Sequence, residues 1–324
     1  MSSETQQIPV PPSVTGGPSR LRPVDARLVG WMFALTFLWG FNSVTIRIIV
    51  QAMAPLMGAG LRGVVALTAL SGYGWLRGES LRYRGSDALH ALVIGVLFSL
   101  EFLLLYNGAR FTSGGHISIF MNTAPLFVAG GAHFLLREER LNALKILGLT
   151  AAFAGILLLF SDELYVQQQG FWRGDLLVLA GAVAWAITTL YMKRFLVERF
   201  NGFRLLHAQV LVSTPILLAS SLLFEPEPWA GINLHTGLLV IFQGLIVVFF
   251  SYLMWMNLLR RYPASGMQSF TFLSPVWGVV AGMLLLSESV SLLMVLGMAM
   301  IGGGIILVNR PREAAPRADA TEPA

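Results

Sequence analysis

Ten stretches of the chain are apolar on nearly every side for about twenty residues each, the length a helix needs to cross a bilayer. They are 28–50, 54–76, 88–108, 115–136, 142–160, 174–197, 203–223, 235–259, 265–287 and 291–308. A transmembrane barrel would alternate apolar and polar residues over runs of about ten. These runs do not alternate, so each is predicted to be a helix. The links between them are short, which predicts one bundle without a separate soluble domain. Residues 1–27 are polar and rich in Pro, Ser, Gly and Thr, with no apolar core of a cleavable signal. They read as a disordered tail, and so does 310–324. The expected fold class is an all-α integral membrane protein with ten transmembrane helices.

Composition agrees. Of 324 residues, 55% are hydrophobic and 12% charged, and the mean hydropathy is +0.69. A soluble domain carries about 25% charged residues, so an ordinary soluble enzyme is excluded. The net charge of +5 changes meaning once it is placed on the helices. With a cytoplasmic N-terminus, eighteen of the 22 Lys and Arg residues fall on the cytoplasmic side, from Arg20, Arg22 and Arg27 through Arg77, Arg82, Arg84, Arg137, Arg140, Lys145, Lys193, Arg194, Arg199, Arg204, Arg260 and Arg261 to Arg310, Arg312 and Arg317. Only Arg110 and Arg173 fall opposite, and Arg47 and Arg62 lie within spans. That asymmetry supports the orientation and an even number of spans. It leaves no continuous basic face for nucleic acid. The chain has no cysteine, which excludes disulfides and thiolate metal sites.

The second half resembles the first. A shift of 150 residues places Asn107 on Asn257, Arg110 on Arg260, Pro125 on Pro275 and Glu138 on Glu288. Gly148 and Gly155 answer to Gly297 and Gly304. Near the start of each half a shift of 146 places Trp39 on Trp185, Asn42 on Thr188, Ser43 on Thr189 and Arg47 on Lys193. Each copy, 28–160 and 174–309, holds five spans. An odd number forces the copies to enter the membrane in opposite senses, an arrangement of inverted repeats used by transporters.

On WGFN (39–42), Pro55, Leu61-Arg62, Ala124-Pro125, Glu138, Gly148 and Gly155, and on Ser274-Pro275, Glu288, Gly297 and Gly304, the chain resembles the ten-helix EamA group of the drug/metabolite transporter superfamily. The resemblance covers about residues 28–309. It implies secondary transport, often efflux of amino acids and related metabolites. One departure stands out. The first half carries Glu138-Glu139 where the second has Glu288 alone.

Polar groups within the spans are the candidates for chemistry, because a buried charge in a membrane needs a cavity or a partner. Glu101 is the acidic residue deep in a span, on a stripe with Phe98, Leu105 and Gly108. It reads as a proton-coupling carboxylate, as an anchor for a substrate ammonium, or as a structural partner of Arg62. Its repeat-related position is Ser251. Arg62 reads as a tie between helices or as a contact for a substrate carboxylate, and Arg47 as a residue that snorkels. Ser118, Met121, Asn122 and Pro125 share one face of the fourth span, and Gln268, Thr271, Phe272 and Pro275 are their counterparts in the ninth. The prolines leave carbonyls without their helical donors, so these faces are expected to line a cavity or to bond between helices. Trp39, Asn42 and Ser43 in the first span match Trp185, Thr188 and Thr189 in the sixth. These tryptophans either stack on a substrate or pack. Gln243 in the eighth span joins the candidates, with Trp255 and Asn257 behind it.

The histidines His116, His133 and His207 lack metal-ligand spacing. No metal or cofactor is expected. Gly130-Gly131 and Gly302-Gly303-Gly304 lack the context of a phosphate loop and are expected to serve close helix packing. Neither a nucleophile motif nor a metal motif of an enzyme is present, so the expected function is not enzymatic. A channel or an intramembrane enzyme is the alternative from another class. The expected protein is a secondary active exporter of the cell (inner) membrane with both termini cytoplasmic, moving amino acids or amino-acid-derived metabolites by alternating access. Uptake, or export of a drug, vitamin or metallophore, is the alternative within the class. Its expected partners are a small polar or zwitterionic solute, the lipid bilayer and a coupling proton.

Overall fold

The computed structural model describes residues 21–136, 139–164, 171–286 and 291–310, and these are helical with short connections. The ten spans are α1 (Ala26–Ala52), α2 (Pro55–Leu76), α3 (Ser86–Ala109), α4 (Gly114–Leu135), α5 (Ala143–Leu159), α6 (Phe171–Leu196), α7 (Gly202–Phe224), α8 (Leu234–Leu259), α9 (264–286) and α10 (Leu292–Asn309). Among the described residues seven of them are long and apolar enough to cross a membrane; α5 is shorter at 17 residues, and α1 and α9 complete the ten. Helix starts follow from local chemistry. Asp25, Ser113, Asn142, Asn201, Asn233 and Ser291 each accept a hydrogen bond from an amide of the first turn. Pro55 opens α2, where its missing N–H costs nothing.

Outward faces are apolar. Phe37, Leu92, Leu100, Ile187, Leu245 and Ile306 are all exposed. In water such a surface would aggregate; in lipid it is the solvated side. Between the helices, small residues permit close approach. A methyl group at Gly148 would lie 2.6 Å from the Gly304 carbonyl oxygen, and one at Gly155 would lie 2.6 Å from that of Gly297. Gly148 therefore meets Gly304 while Gly155 meets Gly297, so α5 and α10 run antiparallel. These are the equivalent helices of the two repeats, so the repeats are inverted.

The remaining pairings obey the same exchange. Swapping the repeats carries α3–α7 onto α8–α2, α4–α6 onto α9–α1, and α3–α6 onto α8–α1; α2–α7, α4–α9 and α5–α10 map onto themselves. All of these contacts are present. The middle of the bundle, where α1, α3, α6, α7 and α8 converge, is thus the place where the two halves meet.

The ends of the bundle are tied differently. On the face that carries both ends of the described chain, Arg22 N–H donates to the Arg261 carbonyl at 2.9 Å, and the Tyr262 hydroxyl donates to the Asp25 carboxylate at 3.0 Å. Residues just before α1 are therefore docked, within the stretch read from sequence as tail. On the same face Lys193 Nζ donates to the carbonyls of Leu259 and Tyr262 at 2.5 and 2.6 Å. Glu139, the acidic residue extra to the first repeat, is buried at the start of α9. It accepts from the amides of Ala264 and Ser265 and from the Ser265 hydroxyl at 2.8–2.9 Å. On the opposite face the Glu225 carboxylate accepts the Leu56 and Met57 amides at 2.8 and 3.1 Å, and Asp175 accepts the Thr112 hydroxyl at 2.5 Å and lies 3.1 Å from His116 Nδ1.

Four spans are less regular than the sequence suggests. α4 breaks at Asn122-Thr123, just before Ala124-Pro125, and α9 passes through a tighter turn at Phe270–Phe272 before Ser274-Pro275. The physical reason is the same in both copies: proline supplies no amide and crowds the preceding turn. α6 ends in wider π-type turns over Met192–Leu196, and α8 carries them over Gln243–Ser251.

Candidate functional site

A cavity lies where the repeats meet. Its walls are Trp39 from α1, Phe98 and Glu101 from α3, Trp185, Thr188, Thr189 and Met192 from α6, Gln209 from α7, and Tyr252, Trp255 and Met256 from α8. Aromatic rings dominate. Trp39 packs edge-on against Trp255 and Tyr252 at centroid distances of 5.4 and 6.0 Å, and Phe98 packs against Tyr252 at 6.2 Å. Such walls offer apolar area and ring faces that attract cations.

The polar groups of the cavity divide by the repeat. Trp39 Nε1 donates to the Ser251 hydroxyl at 2.9 Å, which itself donates to the Val247 carbonyl at 2.5 Å. The repeat-related pair is Trp185 and Glu101. Both line the cavity, and among the described residues Trp185 Nε1 has no acceptor. Gln209 is 1% exposed and its Oε1 is also without a donor. Thr188 bonds back to the Ala184 carbonyl at 2.8 Å. One half of the site is therefore internally satisfied, and the other presents an unspent donor, an unspent acceptor and a carboxylate. A buried polar group without a partner is costly, so these atoms are the ones a polar ligand would satisfy.

Glu101 is 2% exposed. Among the described residues it makes no ion pair within 4.0 Å, with Arg62 or any other base. Arg62, 4% exposed, instead lies over the Phe102 ring at 4.7 Å from its centroid. It lines a second, neighbouring cavity with Phe98, Ser213 and Thr214. Phe98 is the wall the two cavities share.

The family follows from the whole chain. The model of the EamA-like transporter family matches twice, over residues 27–161 and 172–310. The chain belongs to the EamA-like transporter family. Its similarity extends to the "Uncharacterized inner membrane transporter YedA" of Escherichia coli (strain K12), 28% identical over 290 residues, 87% of this chain and 90% of that one. It extends also to the "Probable amino-acid metabolite efflux pump" of Salmonella typhimurium, 24% identical over 291 residues, 83% of this chain and 90% of that one. A protein of known crystal structure shares the fold, with a TM-score of 0.75 and 18% identity over 88% of this chain and 96% of that one. The chain is thus a multi-pass membrane protein of a transporter family.

Within this EamA-like frame the structure brings some expected residues together and separates others. Trp39, Glu101, Trp185, Thr188 and Thr189 share the central cavity. Asn42 and Gln243 are not in its walls. Gln243 Nε2 donates to the Thr45 hydroxyl at 2.9 Å, and that hydroxyl lies 3.0 Å from Asn42 Oδ1, so these residues tie α1 to α8. The side chain of Ser43 lies outside the described residues, as do Glu138 and Glu288. The stripes on α4 and α9 are absent from the walls too. Asn122 Nδ2 donates to the Ser118 carbonyl at 2.7 Å, and Thr271 donates to the Gln268 carbonyl at 2.7 Å. Asn122 and Thr271 thus each spend a bond on their own helix, on the turn just before Pro125 or Pro275. The buried Gln268 Oε1 has no donor among the described residues.

The glycine runs also separate. Gly131 meets Leu190 and Gly304 meets Gly148, whereas Gly130, Gly302 and Gly303 have nothing within 4 Å. Close packing thus explains one glycine of each run. Gln209, Phe98 and Met256 were not read as site candidates in their own right. Gln209 carried a usable signal, being an amide in the middle of an apolar span. Phe98 and Met256 carried none, since apolar residues fill every face of such helices. Among the described residues no group of three or more His, Asp and Glu side chains gathers in a way that could hold a metal.

Proposed function

We propose that this chain is a secondary active exporter of amino acids or amino-acid-derived metabolites, working by alternating access around the central cavity. The observation that carries the reading is the position of that cavity. It lies at the meeting of two inverted repeats and holds a buried carboxylate, Glu101, among aromatic walls. Inverted repeats offer two related packings of one bundle, each open to one side, with the site shared between them. The breaks before Pro125 and Pro275 give α4 and α9 points about which to bend. The likeness to a protein named an amino-acid metabolite efflux pump supports the substrate class. The charge asymmetry supports cytoplasmic termini, which makes the more heavily tied face the cytoplasmic one.

The test is counterflow. Purified protein in liposomes preloaded with unlabelled amino acids should accumulate labelled substrate saturably and show trans-stimulation. Flux that rises linearly with concentration and ignores the inside pool would instead mark a channel. Folded protein that moves none of the pool would remove the amino-acid class.

A further inference from the structure

The second cavity makes a different chemical demand from the first. Its walls include Arg62 and Gly63 of α2, Phe98 and Phe102 of α3, and Ser213 and Thr214 of α7. Arg62 is 4% exposed inside a membrane span, yet among the described residues its guanidinium has neither an ion pair nor a hydrogen bond. The Phe102 ring lies against the guanidinium. A guanidinium donates in its own plane, through five N–H groups, so stacking leaves those donors unspent. Thr214 is 4% exposed, and its Oγ1 has no partner among the described residues. A charge held this deep needs a counter-charge or polar partners; Glu101 is the opposite charge nearby, but among the described residues no carboxylate lies within 4.0 Å of the guanidinium.

The packing around Arg62 is close. Gly63 lets Thr214 approach α2: a methyl group there would lie 2.5 Å from Thr214 Oγ1. Gly244 lets α8 pass beside the Arg62 backbone, a methyl group there falling 2.9 Å from the Arg62 carbonyl oxygen. Pro215 interrupts the α7 ladder one residue beyond Thr214. Two glycines and a proline thus surround a buried arginine and a free hydroxyl.

We infer that this cavity is an anion subsite, in which Arg62 and Thr214, with Ser213 beside them, receive the carboxylate of the transported solute. Phe98 lines both cavities, so a solute whose carboxylate meets Arg62 has its cationic end directed towards Glu101. The protein then holds two buried, opposite charges that are not paired to each other, and a zwitterion completes both. Recognition is two-ended. An amine without a carboxylate leaves Arg62 unpaired, and an acid without an amine leaves Glu101 unpaired. This inference rests on the carrier reading for its biological sense, but binding tests it independently.

Three probes share a ring and chain: L-phenylalanine, phenethylamine and 3-phenylpropionate. Calorimetric titration of the purified full chain should find phenylalanine bound at least roughly tenfold tighter than either single-charge analogue, since each loses a charge-assisted contact. Arg62→Gln and Thr214→Val should weaken phenylalanine and leave phenethylamine unchanged. Thr214→Val keeps the charge and most of the volume, so it serves where Arg62→Gln does not fold. Phenethylamine or 3-phenylpropionate binding as tightly as phenylalanine would overturn the proposal. So would equal weakening of phenylalanine and phenethylamine by Thr214→Val, the mark of a structural role, or binding of none of the three by folded protein. Counterflow separates the two readings. Exchange of phenethylamine with phenylalanine excluded leaves the carrier standing and removes the carboxylate subsite. Thr214-dependent phenylalanine binding without exchange of any probe keeps the subsite and removes the carrier.

Discussion

A single difference between the repeats, glutamate at 101 against serine at 251, sets the chemistry of the central cavity. Serine accepts a bond from Trp39, while among the described residues Glu101 makes no ion pair within 4.0 Å. Glu101→Gln should therefore leave the elution profile and thermal transition of the purified protein intact while reducing transport at least roughly tenfold, the equivalent of one lost charge-assisted contact. Wild-type rates in that variant would show that the carboxylate is idle. Tyr83, in the loop between α2 and α3, makes the opposite case of a polar group fully engaged. Its hydroxyl donates to the Arg204 carbonyl at 3.0 Å and lies 3.0 Å from His207 Nδ1. Burial pushes the phenol up to about 12, despite the nearby Arg204 cation. Folding thus favours the protonated ring, so this contribution to stability is present below the ordinary tyrosine value of 10 and is lost as pH rises from there towards about 12. The ultraviolet difference between wild type and Tyr83→Phe should show no phenolate from this residue until near that value. The substitution should cost about 1 kcal/mol in thermal unfolding.

At the scale of elements, backbone contact between helices is what admits so few residue types. Along α5 and α10 the four glycines leave no space for a side chain, because the nearest atoms are the other helix's backbone and cannot move aside. Gly155→Leu should abolish the folded monomer peak, since overpacking costs about 1–3 kcal/mol even where side chains alone must shift. Gly303→Ala, with nothing within 4 Å, should be neutral in the same assay. The sequence placed all four glycines at matched positions but did not reveal that they meet one another. Glu139 is the second element-scale device. A carboxylate that accepts two amides and a hydroxyl at the start of α9 ties α9 to the segment after α4. Glu139→Gln should lower the unfolding free energy by about 1.5–3 kcal/mol, the range for hydrogen bonds to a charged group, and scanning calorimetry would read it as a fall in Tm. The doubled Glu138-Glu139 was visible as a departure from the repeat; that the second of the pair crosses to the other half was not.

For the whole molecule, two inverted copies produce one bundle whose centre belongs to neither. The spans, their number and their inversion were legible because a bilayer imposes length and apolarity on every helix, and because an odd count per repeat forces opposite entry. Which polar face points inward was less legible. A soluble helix advertises its core by one apolar stripe, whereas these helices are apolar on both the lipid and the protein side, so periodicity has little contrast to read. Trp185, Thr188 and Thr189 of α6 line the cavity, yet of their counterparts in α1 only Trp39 lies in its walls. Asn42 turns instead towards Thr45 and Gln243. The stripes on α4 and α9 were drawn from the same periodicity and end in local bonds to Ser118 and Gln268 carbonyls, because the prolines that follow break the helices there.

By itself the sequence determined the solvent this protein folds in, the ten helices, the repeat and its inversion, since each follows from length, hydropathy and order along the chain. Only the tertiary structure decided which buried polar atoms keep a partner. It set Glu101 and Arg62 beyond ion-pair distance in two cavities that share Phe98, and among the described residues it left Trp185, Gln209 and Thr214 with unspent hydrogen-bonding atoms. The reason is physical. Hydrogen bonds and ion pairs depend on distances of a few tenths of an ångström between residues far apart in the chain, and no one-dimensional pattern carries that information.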